Sequence, residues 1–226
     1  MRGNRIIQAI VRALCIAVAL AAWLAGPVAA QSPKSHEHSF EDAERWAQVF
    51  DDPKRDAWQK PHEVIKALAL KPGAVVADIG AGTGYFAARL ASMLPDGRVY
   101  AVDVEPDMVR YLQARAKREK LPNLVPVAGT PDDARLPEKA DVIVLVDVYH
   151  HIDRRDRYFS RLRGFLKPGG RLAIIDFRID SPAGPPKSSR IAPDRVVAEL
   201  KAAGYSLTQE HDFLPRQYFL VFRPAP

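Results

Sequence analysis

The chain has one cysteine, Cys15, in 226 residues. It falls within the first thirty, so the rest of the sequence has no disulfide to close, no thiolate nucleophile and no cysteine to offer a metal. Long apolar runs are also missing. The best of them, Ala13–Gly26, carries no charge but is shorter than the ~20 apolar residues that a helix needs to cross a bilayer. Excess charge of one sign is modest. The formal net charge of +6 includes Arg2, Arg5 and Arg12, and setting the first thirty residues aside brings it to +3. So mild a balance does not argue for nucleic acid as a partner, and Arg115, Lys117, Arg118 and Lys120 read as the solvated face of a helix. Internal repeats and low-complexity blocks are absent as well.

What is present begins with a leader. Three arginines, the apolar run, Pro27 and the small residues Val28-Ala29-Ala30 have the layout of a secretory signal peptide over residues 1–30, cut after Ala30. Export is therefore expected, to the periplasm, with no membrane span left after cleavage. The alternative is an uncleaved anchor, if the run is extended back past Arg12. Residues 31–39 read as a flexible linker. His36 and His38 lie there, and two ligands make a weak metal site.

Residues 40–73 read as an N-terminal helical extension. Ser39, Glu41 and Asp42 mark a helix start, and Phe40, Ala43, Ala47 and Phe50 follow at helical spacing. Asp52-Pro53 breaks that helix, and Pro61 opens a second one carrying Val64, Ile65, Leu68 and Leu70. From residue 74 to residue 226 the pattern is strand alternating with helix. Strands are expected at Ala74–Ile79, Arg98–Asp103, Leu124–Val127, Asp141–Asp147 and Arg171–Phe177, with closing strands at Tyr205–Asp212 and Gln217–Phe222. Helices are expected at Tyr85–Leu94, from Pro106 to about Lys120, from an Asp153 cap to Leu166, and from Pro193 to Ala203. Lys167–Gly170 reads as a turn and Ser181–Ser189 as a loop. Such alternation means an α/β domain with a mostly parallel sheet covered by helices.

Ligands of open α/β sheets bind beyond the carboxyl ends of the strands, so the residues that follow each strand are the ones to read. The first strand ends in Asp78-Ile79-Gly80-Ala81-Gly82-Thr83-Gly84. Glycines allow positive φ and close backbone approach, and the helix that follows offers free N–H groups. Two frames fit. Gly82-Thr83-Gly84-Tyr85-Phe86-Ala87 matches the dinucleotide pattern, with Asp103 about 20 residues on. Asp78-x-Gly80-x-Gly82-x-Gly84 matches the pattern for S-adenosylmethionine (SAM), with Asp78 suited to an ammonium. Asp103, ending the second strand, can accept from both ribose hydroxyls of either ligand. After the third strand, Asp132 is the choice for an adenine amino group, with Asp133 as a solvated loop acid. Asp147 ends the fourth strand beside the glycine loop and is counted with the cofactor residues.

The segments VADIGAGTGYF, VYAVDVEP, GTPDDARLP, DVIVLVDVYHHI and LKPGGRLAIIDF resemble, in order and spacing, those of class I SAM-dependent methyltransferases over about residues 74–177. Phe50–Pro61 resembles the upstream stretch of a bacterial subgroup of these enzymes whose substrate is not settled. The resemblance implies a Rossmann-like, doubly wound, seven-stranded sheet with one antiparallel strand, which suits Gln217–Phe222. It also implies SAM as methyl donor, with Gly80, Gly82 and Gly84 facing its methionine part and Asp103 its ribose. One departure is Gly129-Thr130-Pro131 where many relatives have Gly-Asp-Ala. Pro131 has no N–H to offer an adenine, so that contact is moved to Asp132.

The sulfonium of SAM is already activated, so such a protein mainly aligns the acceptor and excludes water, and a base is needed only where the acceptor must lose a proton. Tyr149, His150 and His151 follow the fourth strand and are the candidates for acceptor chemistry. Either imidazole suits a base, or else holds the loop through backbone carbonyls. Tyr149 either packs on the ligands or belongs to the core. Trp46 and Trp58, with Arg55 and Gln59, are lid candidates, with helix packing against the sheet as the other reading of Trp46. The function expected is methyl transfer to a small-molecule or protein acceptor. The alternatives are a nicotinamide-dependent oxidoreductase and a non-catalytic SAM-binding protein of the cell envelope.

Overall fold

Val75–Ile79 is buried at every position, and Val99–Asp103 equally so after the exposed Arg98. Runs of this kind are stable only in a sheet covered on both faces. The computed structural model describes Phe40 and residues 42–226. In it seven strands form one sheet: β1 (Val75–Ile79), β2 (Arg98–Asp103), β3 (Leu124–Ala128), β4 (Ala140–Val146), β5 (Leu166–Phe177), β6 (Tyr205–His211) and β7 (Gln217–Pro224). Their order is β3-β2-β1-β4-β5-β7-β6. Pairs among β1 to β5 are parallel, whereas β7 runs antiparallel to both β5 and β6. This is the expected Rossmann-like sheet with one antiparallel strand.

The helices are α1 (Ala43–Phe50), α2 (Asp56–Gln59), α3 (Pro61–Ala67), α4 (Tyr85–Met93), α5 (Pro106–Arg118), α6 (Arg155–Leu162) and α7 (Pro193–Ala202). Side chains alternate across each strand, and the two faces bury different helices. On one face Val64 and Ile65 of α3, Phe86 and Leu90 of α4 and Leu112 of α5 cluster with Val76, Val99, Val144 and Ile175. On the other, Phe159 and Leu162 of α6 and Val196 and Leu200 of α7 cluster with Ala77, Ile143, Leu145 and Leu172. The strand order reverses between β1 and β4, so a crevice opens at their carboxyl ends.

Several boundaries differ from expectation for local reasons. The cap of α1 is Asp42, whose carboxylate accepts from the Arg45 N–H at 3.2 Å. The helix expected from Asp153 starts at Arg155 instead, after Arg154 takes a left-handed φ of 38°. It stops at Leu162, where a 3-10 turn, Arg163–Phe165, follows. The turn Lys167–Gly170 is absorbed into β5: Leu166 pairs with Ala140, and the register slips before Val142 meets Arg171. Such a slip is how a strand accommodates Pro168-Gly169-Gly170. Asp147 leaves β4 because its φ of 59° turns the chain out of the ladder. The leader over residues 1–30, Cys15 and the linker with His36 and His38 lie outside the described residues. Among the described residues no helix is long and apolar enough to cross a membrane.

Candidate functional site

The loop that leaves β1 is left-handed at Gly80, Gly82 and Gly84, with φ of 69°, 55° and 92°. Two of the three are also closely packed. A Cβ on Gly80 would lie 2.4 Å from Val148 Cγ2, and one on Gly84 would lie 2.7 Å from Leu112 Cδ2. Gly82 meets only the ring of Phe50, at 3.4 Å. The loop is tied to β2: the N–H groups of Gly80 and Ala81 donate to Val102 O, and the Gly82 N–H donates to Asp103 Oδ2 at 2.7 Å. Asp103 Oδ1 accepts from the Glu105 N–H at 3.0 Å.

Asp78 and Asp103 are both buried, and among the described residues no cation is one of the groups that act on either. Burial, then the charge of Asp103, push the Asp78 carboxyl up to about 7. Burial also raises Asp103, against the hydrogen bonds from backbone N–H groups that favour its charged form. Beside them the Thr83 hydroxyl is buried and has no hydrogen-bond partner among the described residues. Two buried acids lacking a cation, an unmatched hydroxyl and a backbone stripped of Cβ atoms suit a ligand with an ammonium and vicinal hydroxyls. The residues present therefore fit SAM.

Beyond β3, Thr130 and Asp133 close a turn on each other through backbone bonds of 2.8 and 3.1 Å. Asp132 lies at its rim, with Oδ1 taking a bond of 2.5 Å from the exposed Arg154. Asp133 accepts from the Arg135 N–H at 2.9 Å and from Arg161 at 3.2 Å. Asp133 thus closes its loop, and Asp132 is the more outlying of the pair.

Past β4, Asp147 is held from both ends of the chain. Gln217 Nε2 donates to Oδ1 at 2.6 Å and Gln59 Nε2 donates to Oδ2 at 2.9 Å, with Arg55 at 3.9 Å. Burial, then the charge of Asp176, raise its carboxyl well above the usual range. His150 is nearly enclosed, at 4% exposure. Its Nδ1 lies 2.9 Å from each oxygen of Asp176, itself 2% exposed. Burial works against a charged imidazole, but the bond to Asp176 and the charges of Asp176 and Asp147 outweigh it, and the net shift is upward. His151 is exposed, edge-on to Phe40 at 5.6 Å and 4.1 Å from the His150 ring.

Tyr149 is removed from the candidate reacting groups. Its side chain is fully buried in the core on the α6 and α7 face, stacked on Phe159 at 5.0 Å. Its hydroxyl donates to Glu199 Oε2 at 2.8 Å, so the phenol is spent on structure.

Residues 50–60 form a strap over the glycine loop. Asp51 pairs with Arg115 at 2.9 Å, and Arg115 also donates to Thr83 O at 3.0 Å. Asp56 accepts from the Tyr85 hydroxyl and from Arg89. Arg55 lies 4.2 Å over the Tyr85 ring and donates to Gln59 at 2.8 Å. Lys60 donates to Phe213 O at 3.1 Å. Trp46 stacks on Phe50 at 5.2 Å and packs on Phe40 at 5.0 Å, so it joins the aromatic cluster above Gly82 and not the sheet. Trp58 lies between Phe177, at 5.6 Å, and Arg216, at 5.1 Å.

Four partners escaped the sequence reading: Asp176, Gln59 as a ligand of Asp147, Gln217 and Glu199. Asp176 had a signal, since it ends an apolar strand just as Asp78 and Asp103 do. The glutamines and Glu199 had none. Among the described residues no group of three His, Cys, Asp or Glu side chains is placed to hold a metal ion.

This fold and this glycine loop are similar to those of class I SAM-dependent methyltransferases. A family profile described as a methyltransferase domain matches residues 77–172. Among individual proteins, the chain is 34% identical over 134 residues to a ubiquinone/menaquinone biosynthesis C-methyltransferase of Bordetella parapertussis, covering 55% of this chain and 51% of that one. It is also 34% identical over 107 residues to a malonyl-[acyl-carrier protein] O-methyltransferase of Methylococcus capsulatus, covering 47% and 38%. The chain thus spans about half or less of the length of these curated relatives. A crystal structure of a SAM-dependent methyltransferase from Aquifex aeolicus superposes with a TM-score of 0.74 at 26% identity, over 80% of this chain and 97% of that one. The methyl donor of the family is SAM.

Proposed function

We propose that the chain transfers a methyl group from SAM to an acceptor bound over the carboxyl ends of β4 and β5. The observation that carries this reading is the pair of buried carboxylates, Asp78 and Asp103, that lie at the left-handed glycine loop with no cation acting on them among the described residues. In this reading Gly80, Gly82 and Gly84 present backbone to the methionine part, and Asp78 faces its ammonium. Asp103 accepts from the ribose, Asp132 marks the adenine end, and Asp147 stands between cofactor and acceptor. When bound, SAM supplies a methyl that needs no further activation. The chain supplies alignment and, through the strap, exclusion of water.

Calorimetric titration with SAM, S-adenosylhomocysteine and NAD(H) tests the reading. SAM and its product bind, NAD(H) does not, and Asp103→Ala weakens SAM by at least tenfold. Binding of NAD(H) alone would overturn it. The two named relatives act as a C- and an O-methyltransferase, so their names do not agree on an acceptor atom. Export is proposed from the leader over residues 1–30, and N-terminal sequencing of protein recovered from a cell envelope fraction checks it. A start at Gln31 supports cleavage, and an intact Met1 supports the anchor.

A further inference from the structure

The acceptor end of the site contains a pair of side chains that methyl alignment alone does not require. Asp176 ends β5 and is fixed by two backbone donors: the Phe177 N–H to Oδ1 at 2.7 Å and the His150 N–H to Oδ2 at 3.2 Å. So fixed, its carboxylate meets His150 Nδ1 with both oxygens at 2.9 Å. A carboxylate in that position selects the tautomer with the proton on Nδ1 and leaves Nε2 as the nitrogen that can take one. The segment that carries His150 is locked to the cofactor loop, because Val148 fills the space above Gly80. The pair is therefore part of the same rigid assembly as the glycines.

We propose that His150, oriented by Asp176, is a general base that takes a proton from the methyl acceptor, and that the acceptor is a weakly acidic hydroxyl on a planar ring, such as a phenol. The proposal rests on the methyltransferase reading above. A thioether or a tertiary amine has no proton to lose and would leave such a pair idle. The ring is matched by the half-buried Trp58, which packs at 5.6 Å on the buried Phe177 that follows Asp176 directly. As the acceptor oxygen takes up the methyl carbon, its proton passes to Nε2 and the electrons of the breaking C–S bond stay on sulfur. The products are a methyl ether, a neutral thioether and an imidazolium held by Asp176. Asp176 is a positioning residue, since it acts through His150.

The charged and titratable groups around the imidazole are few. Asp176 faces it from β5, Asp147 from the end of β4 and His151 from its own segment. Behind Asp176 is Tyr218 of β7, whose buried hydroxyl has no hydrogen-bond partner among the described residues. Arg55 is engaged with Asp147, at 3.9 Å. Acids outnumber cations here, which favours proton uptake.

Two measurements test the pair. In the first, imidazole NMR follows the His150 titration in wild type and in Asp176→Asn. The midpoint is expected above that of an ordinary histidine in wild type and lower by about one pH unit in the variant. An unmoved midpoint overturns the role of Asp176. In the second, 4-nitrophenol is added to the full chain with S-adenosylhomocysteine, and the phenolate absorbance is read against pH. Ionisation of the bound phenol is expected at lower pH than in free solution, and this displacement is lost in His150→Gln and Asp176→Asn. A wild-type protein that binds S-adenosylhomocysteine yet leaves the phenol un-ionised, or does not bind it, overturns this proposal and leaves the methyltransferase reading standing. Failure to bind S-adenosylhomocysteine overturns the methyltransferase reading instead.

Discussion

The half of the site proposed to hold the cofactor, at the ends of β1 and β2, is built mostly from backbone. Its glycines, its turned-in N–H groups and Asp103 all fall within one stretch of chain, and the bond from Gly82 to Asp103 spans 21 residues. The half proposed to meet the acceptor, at the ends of β4 and β5, is built from side chains, two of which reach Asp147 from afar: Gln59 over 88 residues and Gln217 over 70. A site made of local backbone tolerates change in the rest of the protein and keeps one ligand. A site made of distant side chains can be re-aimed by single substitutions, which fits the C- and O-methyltransferase names of the two relatives.

The largest effect is expected where the two halves touch. Gly80→Val adds a branched side chain at a φ of 69°, in space already filled by Val148. SAM affinity should fall more than 100-fold by calorimetry, with the circular dichroism of the sheet retained. An affinity within tenfold of wild type would show that the halves are not coupled through this contact. Next comes Gln59→Leu, which strips one donor from the buried Asp147 and frees the strap. Thermal or chemical denaturation should show a loss of about 1–3 kcal/mol, and protease should cut within residues 50–60 first. Unchanged stability and protection would place the hold on the strap elsewhere.

Glu199 gives a pH-dependent contrast on the face away from the site. Burial disfavours its charge, but hydrogen bonds from Arg155, Arg195 and Tyr149 outweigh this and hold its carboxyl at about 2. A lowered folded-state pKa contributes stability that is present above the unfolded value, 4.5, and is lost as the pH falls toward about 2. The difference in stability between wild type and Glu199→Gln should therefore shrink across that window, and a constant difference would contradict it. Tyr149→Phe removes one of those bonds, with an expected loss of about 1 kcal/mol and no change in phenol ionisation or SAM affinity. A lost ionisation signal would return Tyr149 to the reacting groups. The smallest effect belongs to Asp132→Ala, at an ion pair half in water. It should alter stability by less than ~1 kcal/mol and SAM affinity by no more than a few-fold.

The same contrast decides what could be read from the sequence. Apolar runs and glycine turns gave the seven strands and the left-handed loop, because those follow from local backbone physics. Asp78 and Asp103 were legible by position, at strand ends beside that loop. Asp176 obeys the same rule at the end of β5, although no glycine loop follows it to mark the position. That Gln59 and Gln217 converge on Asp147 could not be read, since an amide carries no periodic or motif signal and its partner is fixed only by the completed sheet. Tyr149 was ambiguous for a related reason. Which way a residue faces just after a strand depends on the turn, and here Asp147 supplies an unusual one, with φ of 59°.

Asp147 sets a timetable as well as a geometry. Its carboxylate is satisfied only when Gln217, 70 residues further on, has joined the sheet through β7. At roughly 5–20 residues per second of synthesis, that interval is on the order of ten seconds. During it the glycine loop and Asp103 are already synthesised, while Asp147 still lacks the donor that Gln217 supplies. The residues proposed to hold the nucleoside are in this way all synthesised before the last contact of the residues proposed to meet a second substrate.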